Sequence, residues 1–197
     1  MQPPIFVVGC PRSGTALTAR IIGSSTDICL ITEHNNKPRY CPEDRSGILD
    51  EDLWRARPHQ VVCNIYSAAA DGKRLAVKNP GHTLRVATLR QLFPGAQFVF
   101  VRRDKAPTVA SMTRKPRRSF LLPIPGLDSD LLRGAEQVWE HCQQISDENA
   151  HKPDWMTVSY DRLVEEPKST IIQLWQRLEL GSPPENVFTL PRRPSSG

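Results

Sequence analysis

Short apolar runs and longer stretches of mixed polarity alternate along the chain. The runs are IFVVG at 5–9, ICLI at 28–31, RLAVK at 74–78, QFVFVR at 97–102 and WMTVS at 155–159. Amphipathic stretches between short buried runs are the mark of parallel strands joined by crossover helices. The pattern predicts helices over 14–24, 82–92, 104–113, 130–150 and 168–179. Pro94 and Gly95 separate the second main helix from the strand QFVFV, and Gly181 followed by Pro183 stops the last one. The fold class this implies is α/β, a central parallel sheet flanked by helices. At 197 residues the chain suits a single domain over 1–197, with a flexible tail from about 190 (PRRPSSG). Residues 34–63 and 114–127, rich in proline and charge, fit no regular element. They are expected as loops over the C-terminal edge of the sheet, where open parallel sheets bind their ligands.

Composition narrows the partners. A net charge of +5 and a pI near 9.1 favour anions, with the positive residues spread along the chain, so phosphate-bearing small molecules and nucleic acid both fit. Five cysteines, an odd number without a close CxxC pair or a preceding secretion signal, point to a reducing, cytoplasmic setting. No apolar stretch approaches the roughly 20 residues that cross a bilayer, so neither a membrane span nor a membrane partner is expected. The Cys and His residues lack ligand spacing, and no metal is expected.

The candidate chemistry starts at Gly9-Cys10-Pro11-Arg12-Ser13-Gly14-Thr15. Its glycines have the spacing of a phosphate-binding loop between a strand and a helix, but Thr15 stands where nucleotide hydrolases require lysine. Backbone N–H groups and the following helix N-terminus can surround an anion without that lysine, and Arg12 supplies a fixed charge from inside the loop. Arg12, Ser13 and Thr15 together favour an anion site over a plain strand-to-helix turn.

FVVGCPRSGT resembles the 5′-phosphosulfate loop of sulfotransferases, which use 3′-phosphoadenosine-5′-phosphosulfate (PAPS). Its Pro-Arg-Ser-Gly-Thr form is similar to the tyrosylprotein and related bacterial branch. FVFVRRDKAPTVASM resembles that family's 3′-phosphate element, a strand ending in an arginine (Arg103) with a serine eight residues later (Ser111) on the next helix. An arginine at a strand end and a hydroxyl two turns into the following helix can converge on one phosphate if the helix folds back. Lys115, one turn further, would face the same way. LAVKNPGHTLRVATLRQLFPGAQFVFV is similar to the branch's lysine-and-proline turn, and WMTVSYDRLVEEP to its strand ending in a tyrosine, here Tyr160. TEH at 32–34 puts Glu33 at the branch's catalytic acid. The likeness covers most of 5–180. Two departures stand out: no segment aligns with the family's C-terminal cover over the nucleotide, and Ala16 replaces the usual second threonine or serine.

The resemblance implies a three-layer, P-loop-like fold, PAPS as cosubstrate and adenosine 3′,5′-bisphosphate (PAP) as product. It implies nucleotide contacts from Arg12, Ser13, Gly14, Thr15, Ala16, Arg103, Ser111, Lys115 and Tyr160, and catalytic roles for Arg12, Glu33 and Lys78. Sulfonyl transfer moves a neutral SO3 unit in line and leaves negative charge on the bridging oxygen of the departing nucleotide. Arg12 and Lys78 are the cations expected there. The acceptor hydroxyl must lose a proton, for which Glu33 is the first candidate and His34 and His82 the alternatives. Trp54, Tyr40, Phe120 and Leu121 in the two loops suit an apolar or aromatic alcohol, and the loop arginines an anionic glycan or acidic peptide. A small-molecule or carbohydrate hydroxyl is favoured over peptide tyrosine. A kinase would need the missing P-loop lysine and acidic magnesium ligands. A nucleic-acid binder would need a basic recognition helix or an aromatic platform, neither of which the sequence offers. A relative that only binds nucleotide is the third alternative.

Overall fold

Every residue of strand β1 (Ile5–Gly9) is buried, on both faces at once, and the rest of the architecture follows from covering it. A computed structural model describes residues 2–32, 72–114, 122 and 124–189. β1 lies in the middle of a five-stranded parallel sheet with β2 (Ile28–Thr32), β3 (Arg74–Lys78), β4 (Gln97–Arg102) and β5 (Trp155–Ser159), in the order β2-β3-β1-β4-β5. The helices are α1 (Thr15–Ile22), α2 (Val86–Leu92), α3 (Lys105–Thr113), α4 (Leu131–Asn149), α5 (Tyr160–Glu165) and α6 (Pro167–Arg177). Short 3-10 turns at Pro80–Arg85 and Glu185–Phe188 complete the described elements.

Side chains alternate across the sheet and build two cores. On one face Phe6, Val8, Leu75, Val77, Phe98, Phe100 and Trp155 pack against Leu89 of α2, Met112 of α3 and Val138 and Cys142 of α4. On the other, Ile5, Val7, Ala76, Val99, Val101 and Val158 pack against Ile22 of α1, Leu163 of α5 and Leu174 and Trp175 of α6. The result is the three-layer α/β arrangement the sequence pattern leads one to expect. The first core is aromatic at its centre: Phe6 stacks on Phe98 at 5.5 Å, and Trp155 on Phe98 at 6.0 Å and Phe100 at 5.7 Å.

All five expected strands form where the apolar runs lie, β2 extending one residue further. The helices differ more. The stretch 82–92 is a 3-10 turn followed by α2, because the Asn79 side chain accepts the Gly81 N–H at 2.9 Å and Pro80 opens the turn. The last helix begins earlier than expected and is broken. Ser159 caps α5 through the Arg162 N–H at 3.2 Å, and Glu166, preceding Pro167, is held out of helical geometry at φ −125° and ψ 61°. Of the expected loops, 34–63 lies outside the described residues. In 114–127 Arg114 caps α3 and the described residues from 124 form an irregular turn.

β1 is followed by α1 on one face, whereas its neighbour β4 is followed by α3 and α4 on the other. Between them lies the topological switch point, where an open sheet leaves a crevice at its C-terminal edge. Replacing Phe98, a ring in two of the three stacked pairs, by alanine is expected to cost about 3–5 kcal/mol of unfolding free energy, read from the urea midpoint at constant m-value.

Candidate functional site

The loop after β1 and the junction after β4 line the crevice. Gly9 leaves the sheet at φ +146°, and any Cβ there would lie 2.8 Å from the Val101 carbonyl oxygen. The chain then turns tightly, Ser13 N–H donating to Cys10 O at 3.1 Å, through Arg12 at φ +69° and Gly14 at φ +103°. Two left-handed residues in five are what bend successive N–H groups toward one side of a loop. Gly14 O starts α1 by accepting from the Leu17 and Thr18 N–H groups at 3.0 and 3.1 Å.

Glycine at 14 answers a second demand as well. The Tyr160 ring, at the start of α5, lies so close that a Cβ on residue 14 would fall 2.2 Å from Cδ2. The tyrosine ring also carries a cation, the Arg103 guanidinium, 4.5 Å from the ring centroid. Arg103 Nη1 donates to Arg12 O at 3.1 Å, and Arg12 Nε donates to Ser111 Oγ at 3.2 Å, across 91 and 99 residues of sequence respectively. The Trp139 indole of α4 donates to Arg103 O at 3.0 Å and holds the β4–α3 junction from behind.

Of the residues singled out in the sequence, Arg12, Gly14, Arg103, Ser111 and Tyr160 therefore form one connected group. Ser13 and Thr15 are buried beneath it, and Ala16 is exposed on the first turn of α1. The Ser13 hydroxyl and Arg103 Nε are buried without a hydrogen-bond partner among the described residues. Buried donors of this kind call for an acceptor, and an anion seated on the loop would supply one.

Lys78, the last residue of β3, is 6% exposed. It pairs with Val7 on one side and Thr32 on the other, which brings the start of TEH to the same edge of the sheet. Glu33, His34 and Lys115, with Tyr40, Trp54, Phe120 and Leu121, lie outside the described residues.

His82 is removed from the alternatives for the base. It is 1% exposed, edge-on to Phe6 at 5.9 Å, and burial, helped by the Arg85 charge, pushes its pKa down to about 3. A neutral imidazole inside the core cannot reach an acceptor hydroxyl. The Cys10 thiol, buried against Cys142, is pushed well above its ordinary pKa by burial first and then by its contact with Cys142, so the loop's cysteine stays a neutral packing group.

Two site residues carry no signal of their role in the sequence. Trp139 lies on an ordinary amphipathic helix, where only its indole N–H could have hinted at a polar task. Thr83, whose hydroxyl accepts from Gly9 N–H at 2.8 Å, lies in the stretch that resembles the lysine-and-proline turn, but that likeness assigns it no role.

Fold and site together define an α/β protein with a strand-loop-helix turn of the P-loop kind at the switch point of its parallel sheet. The chain belongs to the sulfotransferase family, whose profile matches residues 3–184. A protein-tyrosine sulfotransferase of Drosophila melanogaster is 26% identical over 197 residues, covering 91% of this chain and 38% of that protein. Protein-tyrosine sulfotransferase 1 of Danio rerio is 25% identical over 201 residues, covering 91% and 54%. The chain thus spans about 40 to 55% of the length of these two relatives.

Among solved structures, the sulfotransferase domain from the curacin biosynthetic pathway superposes with a TM-score of 0.69 at 16% identity, covering 100% of this chain and 81% of that one. A mouse sulfotransferase, SULT7A1, complexed with PAP gives 0.59 at 15%, covering 92% and 60%. A gluconokinase from Sinorhizobium meliloti 1021 gives 0.52 at 16%, covering 91% and 97%. At these identities the structures establish a shared fold, one that includes kinases. The family match and the loop make the distinction.

His82 gives the fold a pH dependence of definite sign. Its folded pKa, about 3, lies below the ordinary 6.5, so from pH 6.5 downward the unfolded chain takes up a proton that the native state refuses. Stability contributed by the neutral ring is complete above pH 6.5 and is lost toward pH 3, at up to about 1.4 kcal/mol per pH unit. His82→Gln is expected to flatten the change in urea midpoint between pH 7 and pH 5 relative to the parent chain.

Proposed function

We propose that the chain moves the sulfonyl group of PAPS to a hydroxyl of a small-molecule, carbohydrate or peptide acceptor. The observation that supports this best is the joining of loop and second element: Arg103 and Ser111, from the β4–α3 segment, both contact Arg12 of the loop. A ligand with an anion at each end, a 5′-phosphosulfate and a 3′-phosphate, fits such a double element, and a mononucleotide with one phosphate cluster does not. The donors without partners among the described residues at Ser13 Oγ and Arg103 Nε, and the close seat of Tyr160 on Gly14, suit a bound anion beside an aromatic wall.

Bound there, PAPS supplies the sulfonyl group and leaves as PAP. In this reading Ser13, Gly14, Thr15 and Ala16 offer hydroxyl and backbone donors to the 5′ end, and Arg12 adds positive charge. Arg103, fixed by the Tyr160 ring and the Arg12 carbonyl, presents a planar pair of donors to the 3′-phosphate together with Ser111 and Lys115. Lys78 places a second cation at the strand edge, where charge grows on the bridging oxygen as the bond breaks. Glu33, directly after the residue that pairs with Lys78, accepts the acceptor's proton. The reaction needs no metal.

The relatives named for protein tyrosine make a tyrosyl phenol one acceptor to try, beside simple alcohols and sugars. A cytoplasmic setting belongs to the same proposal; the buried free thiols of Cys10 and Cys142 suit a reducing compartment. No described helix is long and apolar enough to cross a membrane. The gluconokinase likeness favours a kinase as second reading, against which stands Thr15 at the P-loop lysine position.

Calorimetric titration separates the two. The parent chain is expected to bind PAP in preference to ATP or NAD. Arg103→Ala and Ser111→Ala should each weaken PAP at least about tenfold, the loss of one charge-assisted contact. Glu33→Gln should keep PAP affinity and abolish transfer from labelled PAPS. An equal response to ATP would sink the donor assignment, and undiminished turnover in Glu33→Gln would remove Glu33 as base.

A further inference from the structure

We infer that Thr83 is a positioning residue of the donor site. Its hydroxyl stands in for an absent strand neighbour at the end of β1 and holds the phosphate-binding loop in register with the turn that follows Lys78. This rests on reading that loop as the donor site.

Unequal strand lengths create the need for such a residue. β4 accompanies β1 to its end, pairing Val101 with Gly9, but β3 pairs no further than Lys78 with Val7. Beyond Lys78 the chain swings away through Asn79 and Pro80, and the side of Gly9 that faced β3 is left without a strand. An extended residue directs its N–H and C=O to the same side, and both need partners once water is shut out. One side chain meets both. Gly9 N–H donates to Thr83 Oγ1 at 2.8 Å, and the Thr83 hydroxyl donates to Gly9 O at 3.1 Å. Thr83 is 1% exposed, so water cannot take its place.

Both ends of this tether are stiff. On one, Asn79 Oδ1 accepts from Gly81 N–H at 2.9 Å, His82 N–H donates to Asn79 O at 3.0 Å, and Arg85 Nη1 donates to Gly81 O at 3.0 Å. Thr83 thus has a fixed place relative to Lys78. On the other, Gly9 is packed so closely that a Cβ would meet Ser13 Oγ and Thr15 Cγ2, each at 3.1 Å, as well as Val101 O. A shift of Gly9 would carry Ser13 and Thr15 with it. The hydroxyl therefore sets the position of the loop's donors against that of Lys78. Placement of this kind governs reactivity steeply, a displacement of about 1 Å costing on the order of a hundredfold.

The test compares Thr83→Val, which keeps the shape and removes the hydroxyl, with Thr83→Ser, which keeps the hydroxyl; Thr83→Ala replaces the valine variant if that one fails to fold. Two quantities are read on the full chain: amide hydrogen exchange of peptides spanning residues 9–15, and PAP affinity by calorimetry. Loss of the tether should speed loop exchange and weaken PAP, each by about tenfold, with Thr83→Ser within about threefold of the parent in both. Loop exchange unchanged in the folded valine or alanine variant overturns the proposal. Unchanged PAP affinity despite a lowered melting temperature also does, since it marks a merely structural residue, and so does a serine variant as impaired as valine. Should the parent chain not bind PAP, the donor assignment falls, while the exchange comparison still decides whether Thr83 holds the loop.

Discussion

A strand buried on both faces and paired along both edges has no freedom in how it ends, and β1 is such a strand. Its side chains are committed to two cores, its register to β3 and β4, and at Gly9 the carbonyl of Val101 leaves no room for a Cβ. The chain can leave the sheet only in a conformation open to glycine, and the loop beyond it is aimed before its own residues contribute anything. Ser13 is buried and Arg12 faces solvent because of where Gly9 sends the backbone, and α1 begins at Thr15 because Gly14 receives its first N–H groups. The apolar packing of β1 and the polar contacts of the site are thus a single mechanical unit.

That unit explains why the fold was largely legible in the sequence and the site only in part. The inner strands β1, β3 and β4 are buried over most of their length and so are written as continuous apolar runs, and the half-buried edge strands β2 and β5 also form where their runs lie. Helix boundaries depend on single capping contacts, such as Asn79 to Gly81 and Ser159 to Arg162, which override periodicity locally. Glycine spacing pointed to Arg12, and the resemblance of the β4 segment to a 3′-phosphate element pointed to Arg103 and Ser111. Neither revealed that Arg12 would touch the other two directly, because no periodic rule governs side chains beyond a strand's last residue. Thr83 was still less visible. Its task exists only because β3 stops two residues short of the end of β1, a difference in length that no local pattern records. Glu33, His34 and Lys115 lie outside the described residues, so their places rest on resemblance and chain order.

Adjacent arginines show how the fold separates support from chemistry. Arg102, the last residue of β4, points to Asp147 of α4 and is neutralised by it. Arg103, one residue later, is oriented by groups without net charge, the Tyr160 ring and the Arg12 carbonyl. Arg12 is likewise held by a neutral partner, the Ser111 hydroxyl. Neither Arg12 nor Arg103 makes an ion pair among the described residues, whereas Arg90, Arg102, Lys105, Arg133 and Arg162 all do.

A carboxylate would have fixed these two guanidiniums more firmly, at the expense of their field. Carbonyl, hydroxyl and π-face contacts fix direction and leave the positive charge to act on the crevice at the switch point between β1 and β4. Two like charges gathered there repel one another, a cost that the folded chain bears through the packing of β1 and α4 beneath them. In the proposed donor role, an arriving dianion relieves that repulsion as well as making contacts of its own, and ligands carrying charge at both elements are favoured over those that reach only one.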